Sequence, residues 1–144
     1  MKRGKKVWLP VAVVCGVAVL VCAAVLVLSR QEVRLELAQE TVPVGSQQVL
    51  CRLVNPTLGM VKYGETFYLE RQSGQDWQRV NERDYVINFQ LGQLELWPLG
   101  RREISFTVGV YSPMEKVGQY RIALPVIVEE EDQMLYAYFS LTDQ

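Results

Sequence analysis

The sequence contains no histidine. Its absence excludes the Ser-His and Cys-His pairs of nucleophilic enzymes, histidine-based zinc sites and the usual proton carrier near neutral pH. The chain also lacks a glycine-rich phosphate loop and a calcium loop of the D-x-[DN]-x-[DN]-G type. Carboxylates are plentiful, but no spacing singles out a pair for glycoside hydrolysis. We therefore predict a protein that is not an enzyme and holds no cofactor or metal, with a carboxylate-based envelope hydrolase as an alternative.

Cysteine is scarce, and two of the three cysteines, Cys15 and Cys22, lie within one long apolar run. The single cysteine outside that run, Cys51, gives the rest of the chain no disulfide framework. Cys51 shares one face of a predicted strand with Val49 and Leu53. We predict that it is a small, buried core residue, with a reactive or intermolecularly bridged thiol as the alternative.

Charge is missing from residues 7–28, where Val, Ala, Leu and Cys predominate. A helix of this length covers roughly 30 Å, about the hydrocarbon thickness of a bilayer. The preceding tail, residues 1–6, carries Lys2, Arg3, Lys5 and Lys6, and such a positive cluster is typical of the cytoplasmic side. The pattern predicts an uncleaved transmembrane helix at residues 7–28, with a cytoplasmic N-terminus and the remainder of the chain outside the cell.

A cleavable signal peptide is the alternative interpretation of the same run. The apolar core of such a peptide is ordinarily about 7–15 residues, which is shorter than this run, and no A-x-A site closes it. The segment 27–29, Val-Leu-Ser, would nevertheless be a tolerable cleavage site. An uncleaved anchor would be followed by a short linker, residues 29–32, and one outer domain, residues 33–144.

The outer part of the chain is acidic. All 16 acidic side chains but only 11 of the 15 basic ones follow residue 29, so its net charge is −5. This balance argues against a nucleic-acid partner and against a surface attracted to anionic lipid. The predicted partners are the cytoplasmic membrane, through the helix, and a protein of the membrane or envelope.

Apolar and polar residues alternate in short runs throughout the outer part, and turn-forming residues separate the runs. Because such alternation is typical of half-buried strands, we predict an all-β fold, an antiparallel sandwich of seven to eight strands. Residues 41–45 break off the first strand, and residues 85–91 form a later one. Pro125 ends a strand or marks a bulge, since a proline removes one hydrogen bond from the ladder.

Aromatic residues give the only indication of a binding surface. Tyr136 and Tyr138 alternate with apolar neighbours, as Tyr68 does with Phe67 and Leu69, so these three tyrosines are predicted to point out of the core. Exposed tyrosines on neighbouring strands would form a ledge for a protein or a glycan. The alternative is ordinary packing between half-buried rings. Phe67, Leu69 and Trp77 are predicted to pack inside.

The densest charge cluster is the acidic run at residues 129–132. Carboxylates at a turn can collect a calcium ion at the millimolar concentrations found outside cells. More commonly such a run is a solvated turn that also protects the edge of a sheet, and this is the interpretation we adopt. Arg101 and Arg102 are likewise interpreted as part of a solvated turn.

Two segments carry a resemblance to a known family: "YGETFYLER…GQDW", residues 63–77, and "PLGRREISFTV…VGQYRI", residues 98–122. They resemble the bacterial immunoglobulin-like domains of secreted and membrane-anchored proteins of Gram-positive bacteria, over roughly residues 33–142. The chain departs from that family at Leu99, which separates Pro98 from Gly100 where the family usually has an adjacent Pro-Gly pair. The resemblance implies an Ig-like sandwich on the outer face of a bacterial membrane and brings no catalytic residues.

Within this resemblance Tyr120, shortly after Gly118, matches the tyrosine corner, in which a hydroxyl bonds back to the upstream backbone. Two positions later, where antibody-type domains have their second cysteine, this chain has Ile122. Cys51 is then expected to lie opposite Ile122 in the core.

Together these observations predict a non-enzymatic, single-pass membrane protein that displays an Ig-like domain outside the cell for protein or envelope interaction. A structural accessory subunit, whose sandwich packs against a larger membrane partner, is the alternative within the same architecture.

Overall fold

The computed structural model describes residues 8–28, 31–39, 41–80, 93–109 and 114–143. It divides into two compact units, Met1–Glu32 and Val33–Gln144. The linker at residues 29–32 stays a prediction.

The first unit contains one helix, α1, Trp8–Leu28. It has no acidic residue in its first turn and no basic residue in its last, and the side chains described within it, at residues 13–27, are exposed. Pro10 lies in the first turn, where the lack of an N–H costs no helical hydrogen bond. Among the described residues, no helix is both long enough and apolar enough to cross a membrane. The anchor at residues 7–28 stays a prediction from the sequence.

The second unit is built from short strands, as the alternating pattern predicts. The strands are β1 (Arg34–Leu37), β2 (Thr41–Pro43), β3 (Gln48–Val54), β4 (Val61–Tyr63), β5 (Tyr68–Ser73), β6 (Asp76–Arg79), β7 (Leu94–Leu96), β8 (Arg101–Thr107), β9 (Gly118–Val128) and β10 (Glu131–Thr142).

These strands form two sheets. The smaller one has the order β1-β3-β8, and the larger one has the order β2-β10-β9-β4-β7, with β5 pairing both β9 and β6. All described pairings are antiparallel except that of β2 with β10. The two sheets confirm the all-β, sandwich-like architecture.

The described residues contain ten strands, so the predicted number of seven to eight is wrong. One reason is that residues 41–45 do not simply break the chain: Thr41–Pro43 forms β2, and Val42 is fully buried. A three-residue strand that contains a proline is too short to show the alternating pattern. It forms because it pairs with the end of β10. The strand predicted at residues 85–91 lies outside the described residues.

The long hairpin of β9 and β10 holds the larger sheet together, and it corrects the interpretation of Pro125. Pro125 lies inside β9 opposite Met134, in an unbroken register that contains no bulge. On its other side β9 pairs with β5 through residues 120–123 and with β4 through residues 126–128. Pro125 therefore falls between the two partners, where one missing N–H is tolerated.

The core lies between the inner faces of the sheets. Val49, Cys51 and Leu53 are fully buried on β3, as predicted, and Ile122 is fully buried on β9. Burial raises the pKa of the Cys51 thiol to about 12, so the thiol stays protonated and behaves as a small apolar group. Both Cys51 and Ile122 belong to one core cluster. Their direct opposition stays a prediction.

The tyrosine corner is confirmed. The hydroxyl of Tyr120 donates a hydrogen bond of 2.8 Å to the backbone carbonyl of Lys116, four residues upstream. The ring is fully buried and stacks on Phe139 with centroids 5.8 Å apart. Burial also raises the pKa of the Tyr120 hydroxyl. This bond fixes the entry of the chain into β9, the central strand of the larger sheet.

A candidate binding face on the larger sheet

The outer face of the larger sheet is set by the register of four neighbouring strands. Glu70 on β5 pairs with Arg79 on β6 and with Arg121 on β9, and Arg121 pairs with Tyr138 on β10. Directly paired residues share a face of a sheet. These four side chains therefore form one row across the outer surface.

A second row lies beside the first. Tyr68 pairs with Ala123, and Ala123 pairs with Tyr136. Ala123 is only 1% exposed, although strand parity points it away from the core. The three predicted ledge tyrosines thus share one face, with Tyr138 55% and Tyr136 38% exposed and Tyr68 half-buried.

Arg121 is the centre of this face. Its guanidinium carbon lies 4.1 Å from the ring centroid of Tyr136, 4.5 Å from that of Trp77 and 5.9 Å from that of Tyr138. Its Nε donates to a Glu70 carboxylate oxygen at 2.5 Å, and both side chains are largely shielded, at 16% and 14% exposed. Cation–π contacts of a partly desolvated arginine contribute about 1–2 kcal/mol.

The guanidinium of Arg121 stays protonated in this position. Burial by itself lowers the pKa of the guanidinium, but hydrogen bonds with Glu70 and Tyr138 and the negative charge of Glu70 outweigh it. The pKa is therefore raised above the ordinary arginine value. The face holds a permanent cation beneath its aromatic rings.

A second arginine extends the pattern. The guanidinium carbon of Arg79 lies 3.7 Å from the ring centroid of Tyr68, and Arg79 itself is exposed. Two ring contacts continue the surface: Trp77 meets Tyr138 edge-on at 5.5 Å, and Tyr138 meets Tyr136 at 6.3 Å. We use the name aromatic face for Tyr68, Trp77, Arg79, Arg121, Tyr136 and Tyr138.

Trp77 corrects one prediction, because it lies on the aromatic face and not in the core. The two-residue turn at Gly74 pairs Ser73 with Asp76 and Gln72 with Trp77, which places Trp77 on the same side as Glu70. Val80, three residues further on, has the opposite parity and is buried instead. By contrast, Leu69 is buried, and Phe67 packs against Phe106 at 4.8 Å, as predicted.

Only the first half of the acidic run forms the turn between β9 and β10, because Glu131 and Asp132 already belong to β10. Glu129 and Glu130 occupy the two turn positions, both in the left-handed backbone region, with φ of 51° and 71°. Among the described residues, no group of three or more His, Cys, Asp or Glu side chains is arranged to hold a metal ion. Arg101 and Arg102 begin strand β8 and are exposed, so they are not part of a turn.

Sequence reasoning missed the charged residues of this surface, Arg79 and Arg121 of the aromatic face and Glu70, the ion-pair partner of Arg121. Strand parity alone would have pointed Arg121 outward, because it lies between the buried residues Tyr120 and Ile122. Its contacts could not be inferred in this way, since Glu70 is 51 positions away in the chain.

Comparison with known proteins identifies the fold family. Residues 29–140 match the family model described as bacterial Ig-like domain, and the chain therefore belongs to the bacterial Ig-like domain family. Among curated proteins no match is found. The family assignment confirms the resemblance seen in the sequence, while an origin in Gram-positive bacteria stays a prediction.

Proposed function

We propose that this bacterial Ig-like domain is displayed on the outside of the cell by a single-pass anchor, and that its aromatic face binds a protein partner of the envelope without catalysing a reaction. The observation that carries the proposal is the arrangement of partly exposed tyrosine rings around the fixed cation of Arg121.

The residue types of the aromatic face support a protein partner. Trp, Tyr and Arg are the side chains most enriched among the residues that dominate protein–protein binding energy. On this face they are contributed by strands and not by mobile loops. The ion pair between Arg121 and Glu70 holds the central side chains in place before a partner arrives, which lowers the entropy lost on binding.

The proposed location follows from the sequence of the first unit. Residues 7–28 carry no charge, and the tail of residues 1–6 carries four positive side chains. Together these features favour an uncleaved helix with its N-terminus in the cytoplasm. The acidic domain that follows would then face the envelope.

The test is capture of envelope proteins by the tagged full-length chain, purified in mild detergent. The double variant Tyr136→Ala/Tyr138→Ala removes partly exposed ring area without opening a core cavity. We expect captured partner to fall about tenfold or more, since a hot-spot side chain contributes about 2 kcal/mol or more. The free energy of unfolding measured in parallel should fall only by the roughly 1–2 kcal/mol that the contacts of these rings with Arg121 contribute, so the domain stays folded in the capture assay.

Leu50→Ala is the matched control. Leu50 is 38% exposed, the same fraction as Tyr136, but it lies on the smaller sheet, on β3. Capture that survives the double variant, or that falls equally with Leu50→Ala, would contradict the proposal. A partner that stays bound in fixed stoichiometry through purification of the parent would favour an accessory subunit of a larger membrane complex over transient display.

A further inference from the structure

Three large apolar side chains are exposed together at one end of the sandwich. Leu58 is 52% exposed, Trp97 68% and Leu99 57%. The backbone N–H of Leu99 donates to the carbonyl of Thr57 at 3.1 Å, which brings the two loops into contact. We call this group, Leu58, Trp97 and Leu99, the apolar tip. Single exposed apolar residues are common, but a cluster of them marks an interaction site.

The loops that carry the apolar tip are held by a fully buried asparagine. The side-chain nitrogen of Asn55 donates to the carbonyls of Gly59 at 2.8 Å and Trp97 at 3.0 Å. Its side-chain oxygen accepts from the backbone N–H of Thr57 at 3.1 Å and from the Thr57 hydroxyl at 2.7 Å. The Asn55 N–H donates to the carbonyl of Gly100 at 2.9 Å. The tip is therefore a fixed feature of the domain surface.

Leu99 adopts an unfavourable backbone conformation within the tip. The turn Trp97–Gly100 is closed by a 3.0 Å hydrogen bond from the Gly100 N–H to the Trp97 carbonyl, and Leu99 has a φ of 58°. Glycine is preferred at such a position, and a leucine costs about 1–2 kcal/mol. Because its side chain is more than half exposed, packing within the described domain does not offset that cost. The hydrogen bonds of Gly100 and Asn55 to the Trp97 carbonyl hold the turn in this conformation, and the Leu99 side chain is left exposed at the surface.

The chain enters the domain at the same end. Arg34, the first residue of β1, pairs with Val54, and Val54 pairs with Arg101, next to Gly100. Residues 29–32 separate the last residue of α1 from Val33, and so few residues span at most about 17 Å when fully extended. A chain anchored as proposed above keeps this end of the domain within that reach of the bilayer surface.

The side chains of the apolar tip are of the types found where proteins contact lipid. Tryptophan is enriched where the hydrocarbon of a bilayer meets its headgroups, and leucine is favoured deeper in the bilayer. The surrounding charges are of both signs: Arg101 is exposed on one side, and the Glu129 carboxylate lies against Gly59 on the other. Such a mixture gives no preference for anionic lipid, so the apolar side chains provide the attraction.

We propose that the apolar tip inserts into the interfacial region of the bilayer in which the chain is anchored. This inference rests on the proposed anchor but not on binding through the aromatic face. Insertion would hold the domain against the membrane at a second point besides the linker.

The test uses the full-length chain reconstituted into phosphatidylcholine vesicles with or without brominated acyl chains, which quench tryptophan fluorescence on contact. Trp97→Phe is measured beside the parent, and the difference between their spectra isolates Trp97 from Trp8 and Trp77. We expect the Trp97 emission to fall about twofold or more in brominated vesicles, as for an interfacial tryptophan. We also expect it to resist quenching by aqueous iodide.

Emission of Trp97 that is unaffected by bromine and readily quenched by iodide would overturn the inference. Trp97 emission that neither bromine nor iodide quenches would indicate that a second copy of the chain covers the tip. This result would also overturn the inference. In the variant Leu58→Asp/Leu99→Asp, bromine quenching of Trp97 should be lost, whereas Leu50→Asp on the smaller sheet should leave it unchanged. Extraction of the parent by alkaline carbonate would contradict the anchor itself; retention without Trp97 quenching would contradict only the tip.

Discussion

Replacing Tyr120 with phenylalanine isolates one hydrogen bond in the centre of the fold. The hydroxyl donates to the Lys116 carbonyl at 2.8 Å, and the ring is fully buried against Phe139. Phenylalanine keeps the ring and its stacking, so Tyr120→Phe removes the hydroxyl without creating a large cavity. The expected change in stability is therefore that of the bond alone.

The size of the stability loss depends on how well water reaches the Lys116 carbonyl, which accepts the bond. An unsatisfied buried carbonyl costs about 1–3 kcal/mol, whereas a hydrogen bond that water replaces costs about 1 kcal/mol or less. Lys116 is exposed, although Tyr120 is not, so water reaches the acceptor in part. We expect Tyr120→Phe to lower the free energy of unfolding by about 1–2 kcal/mol. For a domain of this size that corresponds to roughly 4–8 °C in Tm.

Urea unfolding of the full-length chain in mild detergent, followed by tryptophan fluorescence, measures this change. The slope against urea should stay the same, because the surface exposed on unfolding is unchanged. Tyr68→Phe is the control, since it removes a hydroxyl from a half-exposed ring and should change stability by less than about 0.5 kcal/mol. A Tyr120→Phe variant as stable as the parent would refute the energetic role of the tyrosine corner.

Three further outcomes are expected. Cys51 should resist thiol reagents until the domain is denatured, because its thiol is buried and has a pKa of about 12 in the folded state against an ordinary value of 9.0. Since the thiol of the unfolded chain ionises first, the free energy of unfolding should fall as the pH rises above 9.0. Cys51→Ala should reduce that fall. Replacing Glu129 with Asn and Glu130 with Gly should raise the free energy of unfolding by about 1–2 kcal/mol, measured in urea, because both positions have positive φ. Asn55→Ala should lower it by about 2–4 kcal/mol in the same assay, since several buried backbone groups lose their partner; an unchanged midpoint would show that the two loops do not depend on this residue.

The inward and outward alternation of the strands could be predicted from the sequence, because side-chain direction in a strand has a period of two. This is why the burial of Cys51, the exposure of Tyr136 and Tyr138, and the place of Tyr120 at the start of β9 agree with expectation. Each of these predictions needs only one residue and its immediate neighbours.

Features that depend on how one strand meets another could not be predicted in this way. Trp77 was expected inside, but the short turn at Gly74 gives Val80 the inward position. The side chain of Asn55 bonds to Trp97, 42 residues away, and no local pattern in the sequence marks this contact. Such contacts depend on pairing and loop geometry that a single sequence does not encode locally.

The aromatic face and the apolar tip lie far enough apart to act independently. Along β9, Arg121 is separated from Val128, near the tip, by seven residues, or roughly 23 Å at the rise of a strand. If the tip rests in the bilayer, the aromatic face stands away from it and stays open to a partner. Tyr136→Ala/Tyr138→Ala should therefore leave the bromine quenching of Trp97 unchanged, and Trp97→Phe should leave partner capture unchanged, because effects at sites more than about 10 Å apart are usually additive. Loss of capture in Trp97→Phe, with the domain still folded, would mean that the partner is bound only when the domain is held against the membrane.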